Sequence, residues 1–544
     1  MAKITFNSQD TGFSMWLDEV VSQSSERSVD YLYFSTPNKY KVTLFGGPFA
    51  YTSKGVPASG TVDHIHVLFP ATKSTLTPDI DIQDVNVDVS AYGSLFGMSP
   101  AQDATRAFWK ATLSGNDTIN FGTNATQAGF SINFAGDGNV APADAVGGND
   151  TLHGDVGTGI AVGDYFQVNA NQTAFGGNDD IRLDDSLDAT VTGDFHVGEV
   201  NSKLFAGDDF IQLGEMGASV YGDAGYLRGT LDAGDDTIVG GSGGDVLVGD
   251  VGVAYDTASF KAGDDEIHGG AGADSIYGDA GYSLDATFVG GNDHLYGDAG
   301  SDTMAGNDGD DYLDGGADGD VLNGGDGNDL LRGGTGRDSI NGGSGIDTAN
   351  YRGTTQKVEI VLDNNGSGNA KVGGIIEDKL DDIENLIGGS AGDKLTGNPA
   401  ENRLDGAGGN DTLKGGSDND TLAGGKGNDK LAGGTEADQF VFNAKLGSTN
   451  IDKIVDFVHG VDEIDLDDAI FKALGTSFEK NEFVARADGH AASKASQHVI
   501  YDKSDGTLWY DVDGRGGKAA VQFAQLGTEK SHPMNLSWDD FAIV

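Results

Sequence analysis

The sequence predicts an all-β chain whose centre is a parallel β-roll, or β-solenoid, preceded by a small antiparallel β domain and followed by a β cap. Three observations carry this. Residues Gly297 to Asn350 divide without remainder into six nine-residue units: GDAGSDTMA, GNDGDDYLD, GGADGDVLN, GGDGNDLLR, GGTGRDSIN and GGSGIDTAN. Upstream, a longer repeat of about 29 residues recurs from Ser114. The composition, finally, joins 87 glycines and no cysteine to 86 acidic against 33 basic residues, a formal net charge of −53, so turns and carboxylates must organise a fold that disulfides cannot.

Each nonapeptide reads as a turn followed by a short strand. Glycine accepts positive φ, so the first half of a unit can turn tightly with exposed carbonyls, and the x-apolar-x that follows is a strand with one inward side chain. The eighth positions, Met304, Leu313, Leu322, Leu331, Ile340 and Ala349, supply that side chain. Two units make one coil, so turns nine residues apart fall on opposite sides. Asp302, Asp320 and Asp338 then stack on one side, with Asp311, Asp329 and Asp347 on the other. Stacked carboxylates need a cation, and carboxylates with backbone carbonyls form a hard oxygen site that selects calcium over zinc or copper. A flexible glycine-rich linker would not alternate aspartate and leucine at fixed offsets.

In chain order, residues 1–113 alternate polar and apolar positions at Tyr40 to Phe45, Thr61 to Phe69 and Ile80 to Val89, which predicts the antiparallel β domain. His64 and His66 share a strand face there. A metal pair is one reading, a solvated or packed face the other, since no third ligand is near. Asp79, Asp81, Asp84 and Asp88 mark a solvated strand face, and Phe108 and Trp109 a core or junction. Residues 114–296 carry the long repeat, whose Gly-Gly-Asn-Asp or Ala-Gly-Asp-Asp signature ends at Asp150, Asp179, Asp209, Asp236, Asp265 and Asp293, with Asp117 an outlying first member. A Gly-Asp step recurs at Asp155, Asp194, Asp223, Asp250, Asp279 and Asp298. Two complete nonapeptides, from Gly240 and Gly269, add Asp245 and Asp274. The simplest reading is an 18-residue coil with an insertion of about eleven residues, each adding a third strand. Phe175, Phe205, Phe260 and Phe288 would then stack as one aromatic ladder, either core of a widened solenoid or an exposed recognition face.

Residues 297–350 form the first nonapeptide roll and 351–387 a connector. A second roll spans 388–441, with sixth positions Asp393, Asn402, Asp411, Asp420, Asp429 and Asp438. Asn402, in a unit that also carries Pro399, predicts a weaker site. Residues 442–544 are expected to close the last coil, which would otherwise expose apolar residues and unpaired backbone.

The nonapeptide resembles the repeats-in-toxin (RTX), or hemolysin-type, calcium-binding repeat. Tyr351 to Ile387, with DTANY before it and DKLDDIENLIGGS within it, resembles the connector between RTX blocks. The ending WDDFAIV resembles the uncleaved type I secretion signal of that family. The resemblance implies a secreted protein, extracellular or at the cell surface, with calcium and the type I export machinery as partners. The sixth-position aspartates, with glycine carbonyls of adjacent turns, are the expected ligands, giving on the order of eight inter-turn sites in the two blocks and more in the long repeats.

Other functions are excluded or set aside. The acidic charge disfavours nucleic acid and anionic membrane surfaces, and no 18-residue apolar stretch predicts a membrane span. The opening MAKITFNSQDTGFSMW lacks a Sec-type pattern. GGSGG around Ser242 matches a serine-hydrolase elbow only formally, because it lies inside a nonapeptide. No HExxH is present, the glycine loops carry aspartate where a phosphate loop needs lysine, and a pore-forming apolar helical region is missing. The expectation is a non-enzymatic protein of structural or surface-interaction role, in a matrix, surface layer or adhesion, with self-association or a cell-surface or matrix partner. An extracellular enzyme with its catalytic domain in residues 1–113, or a bacteriocin-like effector, are the alternatives.

Overall fold

The computed structural model describes residues 145–544 apart from 155–159, 166, 184–188, 216, 256–257, 285, 488, 528–532 and 534, and the backbone of strands between residues 3 and 135. The chain forms two compact units, Met1–Asp311 and Tyr312–Val544.

The first unit begins as an antiparallel meander. Lys3–Asn7, Gly12–Val20, Ser28–Phe34, Lys39–Gly46, Thr61–Leu68 and Asp79–Asp88 pair in succession, and Asp79–Asp88 pairs antiparallel with Thr118–Phe121. Thr118–Phe121 in turn pairs parallel with Thr151–Gly154, and this is where meander becomes solenoid. His64 and His66 lie on Thr61–Leu68, but their side chains, like Phe108, Trp109, Asp117 and Asp155, lie outside the described residues.

From Thr151 onward each 27- to 30-residue step stacks parallel on the one before. One such coil contains Asp180–Leu183, Ala189–Thr192, Phe195–Gly198 and Lys203–Phe205, before Phe210–Gln212 returns beneath Asp180. The insertion thus adds two strands rather than the one expected. The reason is a turn inside it, where the Ser202 N–H donates to the Glu199 carbonyl at 2.9 Å and folds the segment back on itself. The two extra sheets enclose a second core, including Phe195, Leu204, Leu227, Leu231, Val251 and Phe260, each at most 4% exposed. Burying such a side chain contributes about 1.5–3 kcal/mol.

The single aromatic ladder is corrected by strand parity. Phe175 and Phe205 stack at 4.9 Å at the third position of their strands and are 39% exposed, aligned with Asp232 and Lys261 of later coils. Phe260 and Phe288 stack at 4.7 Å one position earlier, on the inward face aligned with Leu231. A one-residue offset in a period-two strand sends the ring to the opposite face.

In the second unit the coil shortens to 18 residues and two strands. Tyr312–Asp314, Leu330–Arg332 and Thr348–Asn350 form one ladder, and Val321–Asp326 and Ser339–Ser344 the facing one. Leu313, Leu322, Leu331, Ile340 and Ala349 point inward, at most 1% exposed. The turns need glycine: Gly427 holds φ +137°, and a Cβ there would fall onto the Gly409 carbonyl of the adjoining coil.

Although the repeat stops at Asn350, the roll does not. Ile375–Asp381 pairs parallel with Ser339–Ser344, and Asn385–Ile387 lies between Thr348–Asn350 and Arg403–Asp405. Val358–Val361 pairs parallel with Lys394–Thr396, so the sheets continue into the second block. There Leu395, Leu404, Leu413, Leu422, Leu431 and Phe440 are fully buried.

The last coil is covered. Glu463–Leu466 pairs parallel with Gln439–Phe442 and then with Phe541–Ile543, while Asp452–Ile454 pairs with Lys430–Gly434 and Val521–Leu526. Phe442 and Phe471 pack against Phe523, and Tyr510 against Phe471, in a small aromatic core at centroid distances of 5.0–5.2 Å. Asp540 is buried against His459 and receives the Gly460 N–H at 2.9 Å, which fixes the WDDF segment. Among the described residues, no helix is long and apolar enough to cross a membrane.

Candidate metal centres

The turn geometry that puts glycine at the corner puts the sixth-position aspartate just inside it, and one hydrogen bond repeats throughout. Each aspartate gives its N–H to Oδ1 of the aspartate one coil later. In the second block Asp393 donates to Asp411, Asp411 to Asp429 and Asp429 to Asp452, at 2.6, 2.7 and 3.0 Å. On the opposite side Asn402 donates to Asp420, Asp420 to Asp438 and Asp438 to Asp462, at 2.9, 3.0 and 3.2 Å. Nearer the connector, Asp320 donates to Asp338 and Asp329 to Asp347. In the first unit one ladder runs through Asp150, Asp179, Asp209, Asp236, Asp265, Asp293 and Asp311, and another through Asp245, Asp274 and Asp302. All nineteen aspartates singled out in the sequence stand on these ladders, no more than 3% exposed.

With Oδ1 engaged by backbone, Oδ2 decides the chemistry. For Asp209, Asp236, Asp265, Asp274, Asp293, Asp411 and Asp420 it is buried and receives no hydrogen bond. It shares its space with carbonyl oxygen: a Cβ on Gly193 would fall onto both Asp209 Oδ2 and the Gly222 carbonyl, and one on Gly406 onto Asp411 Oδ2 and the Gly424 carbonyl. Oxygens that converge without donors fit a hard cation, and carboxylate plus carbonyl is the donor set of calcium.

The electrostatics agree. Burial, reinforced by the charge of Asp279, pushes the Asp293 carboxyl up to about 9. Burial pushes Asp411 up to about 8, the Asp393 amide opposing and the charges of Asp429 and Asp393 adding to it. Asp420 is likewise raised to about 7 and Asp438 to about 6, burial being the main cause in both. Asn402 is the exception. Its amide brings its own donors, giving Nδ2–H to the Glu384 carbonyl at 2.6 Å and to Asn398 Oδ1, while its Oδ1 accepts the Asn398 N–H at 2.8 Å.

Several ladder residues were missed by sequence reasoning. Asp378 accepts the Asp338 N–H at 3.1 Å, and Glu384 Oε2 accepts that of Asp347 at 2.9 Å, so the connector supplies the next rung on each side. Asp452 and Asp462 do the same from the cap. None sits in a nonapeptide, and they share no local position: Glu384 and Asp462 lie just before a strand, Asp452 opens one and Asp378 lies within one. The Gly-Asp step also changes membership. Asp194, Asp223, Asp250 and Asp279 are fully buried and are joined by Asp164, which the spacing search passed over in AVGDYF. Asp298 leaves the series, because it takes φ +64° and turns its half-exposed side chain toward His268. The carboxylates of Asp150, Asp164 and Asp179, and again of Asp179, Asp194 and Asp209, place oxygens within 4.8 Å of one another. Ser242 lies in a turn, its hydroxyl on the Glu215 carbonyl at 3.0 Å.

Comparison with known proteins gives a family for the repeats. The model of the RTX calcium-binding nonapeptide repeat (4 copies) matches residues 231–253, 261–283, 289–322, 314–349, 380–413 and 405–440. Among solved structures the chain is similar to the extracellular lipase LipA from Serratia marcescens, at 20% identity and a TM-score of 0.17, over 45% of this chain and 40% of the lipase. The chain therefore spans less than half the length of that relative. No curated protein matches.

Proposed function

We propose, from the premise that the chain is an RTX-type calcium-binding repeat protein, that it is secreted and folds on calcium outside the cell to serve as a structural or surface-interaction element. The observation that carries this is the row of buried Oδ2 atoms without hydrogen-bond donors. A buried carboxylate left without a donor costs several kcal/mol, so the ladders are stable only when a cation completes them. Calcium supplies the missing positive charge between adjacent turns. The chain's part is to present oxygens: Oδ2 of Asp411 and Asp429 on one side, of Asp420 and Asp438 on the other, with Oδ1 locked by the N–H of the preceding coil. Glycine at the corner keeps side chains out of that space.

Binding free energy then becomes folding free energy, because the site exists only when two coils are stacked. Extracellular calcium modules typically bind with dissociation constants around 10⁻⁴–10⁻³ M. A low-calcium cytosol leaves such a chain unfolded and able to thread an export channel, while a millimolar exterior folds it. The C-terminal segment supports the type I reading by its WDDFAIV ending. For the surface role, the support is the outward Phe175–Phe205 pair with Val146 beside it, an apolar stripe suited to a second copy or a matrix partner.

Circular dichroism of the full chain tests the folding claim. At pH 8, β signal is expected to be absent in excess chelator and to appear cooperatively with calcium. Replacing Asp411 and Asp429 by Asn should move the midpoint to higher calcium. Full β structure persisting in chelator would reject the reading.

A further inference from the structure

The geometry points to a second class of calcium site in the long repeats, in which the Gly-Asp aspartates Asp194, Asp223, Asp250 and Asp279 add a carboxylate to the sixth-position ladder. This rests on the calcium reading above but concerns residues outside the nonapeptide pattern. Each of these aspartates is fully buried and follows a glycine at the mouth of the insertion. One carboxylate oxygen receives the N–H of a glycine on the far side of that insertion: Gly207 to Asp194 at 2.7 Å, Gly263 to Asp250 at 3.0 Å, Gly291 to Asp279 at 2.8 Å. The other oxygen of Asp194, Oδ1, and of Asp250, Oδ2, is buried and receives no hydrogen bond, whereas Asp223 shares the Gly234 N–H between its two oxygens at 3.3–3.4 Å and Asp279 Oδ2 accepts the Asp308 N–H at 3.0 Å. Asp179, Asp194 and Asp209 bring carboxylate oxygens within 4.8 Å of one another, and Asp209 Oδ2 is itself buried without a donor.

Charge counting distinguishes these sites from those of the nonapeptide blocks. A long coil sends two carboxylates to this side, Asp179 with Asp194, then Asp209 with Asp223, then Asp236 with Asp250. One divalent ion per coil balances them. A nonapeptide coil sends one carboxylate to each side, so an ion there leaves net positive charge and leans on neutral carbonyls. Calcium affinity rises with the number of carboxylates and the rigidity of the site. Here both favour the long repeats, because the second core holds the insertion in place. The long-repeat column therefore fills first and empties last.

Calcium titration of the full-length native chain, compared with the Asp194→Asn/Asp223→Asn double variant, tests this. The native chain is expected to show a class of sites at least about tenfold tighter than the rest, and the variant to lose about two ions from that class alone. An unchanged tight class in the variant would overturn the assignment. Should the variant not fold, hydrogen exchange of the native chain at falling calcium decides. Phe210–Gln212 and Thr237–Val239 should stay protected after Thr412–Gly416 and Thr421–Ala423 have opened, and simultaneous or reversed opening refutes the second class. A native chain that binds no calcium at all would instead reject the general reading.

Discussion

The coils of the first unit and those of residues 388–441 share one aspartate ladder and differ in everything around it. A long coil has four strands and a second core containing Phe195, Leu204 and Leu227. A short coil has two strands and one inward residue from each, Leu413 and Leu422 for example, with no other apolar contribution of size. Yet Asp209 meets Asp236 and Asp411 meets Asp429 through the same hydrogen bond, 2.7 Å in both. The insertion enters the turn without disturbing it, since the Gly263 N–H reaches back to Asp250, thirteen positions earlier, and closes the gap. The lesson is that ligand geometry and apolar burial are separable here. The short roll holds carboxylates with little else, whereas the long one has burial to set against their repulsion.

The most severe way to break the comparison is to delete residues 442–544. This removes Asp452, Asp462 and the aromatic core, and the short roll should lose its calcium-induced protection entirely while the long coils keep theirs. Hydrogen exchange in calcium reads this directly, and equal loss in both regions would contradict it.

Acid should mimic calcium. Asp411 is raised to about 8 and Asp293 to about 9 by burial, against an ordinary carboxylate value near 4. Between these limits the folded chain holds protons that the unfolded chain has released, so stability falls as pH rises through this window and is fully present below it. In chelator, β structure should therefore return on going from pH 8 to pH 5, detectable by circular dichroism. Loss on acidification would reverse the sign and defeat the argument.

Phe195→Ala should cost the long coils about 3–5 kcal/mol of unfolding stability in saturating calcium, by analogy with other buried Phe truncations. The calcium midpoint of the short block should not follow. Asn402→Asp is a milder and sharper probe. It removes the Nδ2 donor to the Glu384 carbonyl and adds a carboxylate to the column, so it should add a calcium ion at saturation. Equilibrium dialysis showing no added ion would mean that Asn402 is not a ligand position. The smallest effect is expected from Phe205→Ser, at an exposed strand position, where stability should shift by less than about 1 kcal/mol. Sedimentation should show any self-association weakened, and unchanged assembly would take the Phe175–Phe205 stripe out of consideration.

Much of this was legible in sequence because the repeat is one-dimensional. A residue nine positions on is on the other side, and one eighteen on is stacked directly above, so Asp320 and Asp338 or Leu313 and Leu331 could be paired by counting. Counting fails where position is set by contact rather than period. Asp378 and Asp452 reach the ladder because their strands pair with Ser339–Ser344 and Lys430–Gly434, a tertiary fact that no local spacing encodes. Asp164 was hidden because the neighbouring Gly-Asp at Asp155 offered a competing match. Phe260 could not be told from Phe205 by spacing alone, since a one-residue offset is negligible in a 29-residue period but decisive in a strand.

The aspartate ladder also has a polarity. Within each unit every described rung donates its N–H toward the coil that follows in sequence, never the one before. The residues beside each rung donate the other way, Thr412 N–H to the Asp393 carbonyl and Asn428 N–H to Asn410 Oδ1, so each coil is tied both to the coil before it and to the coil after it. For the two aspartate columns of the second block, the last acceptors are Asp452 and Asp462, which follow the repeats in the chain. A chain still being made therefore leaves both of these columns without their last acceptor until the cap follows.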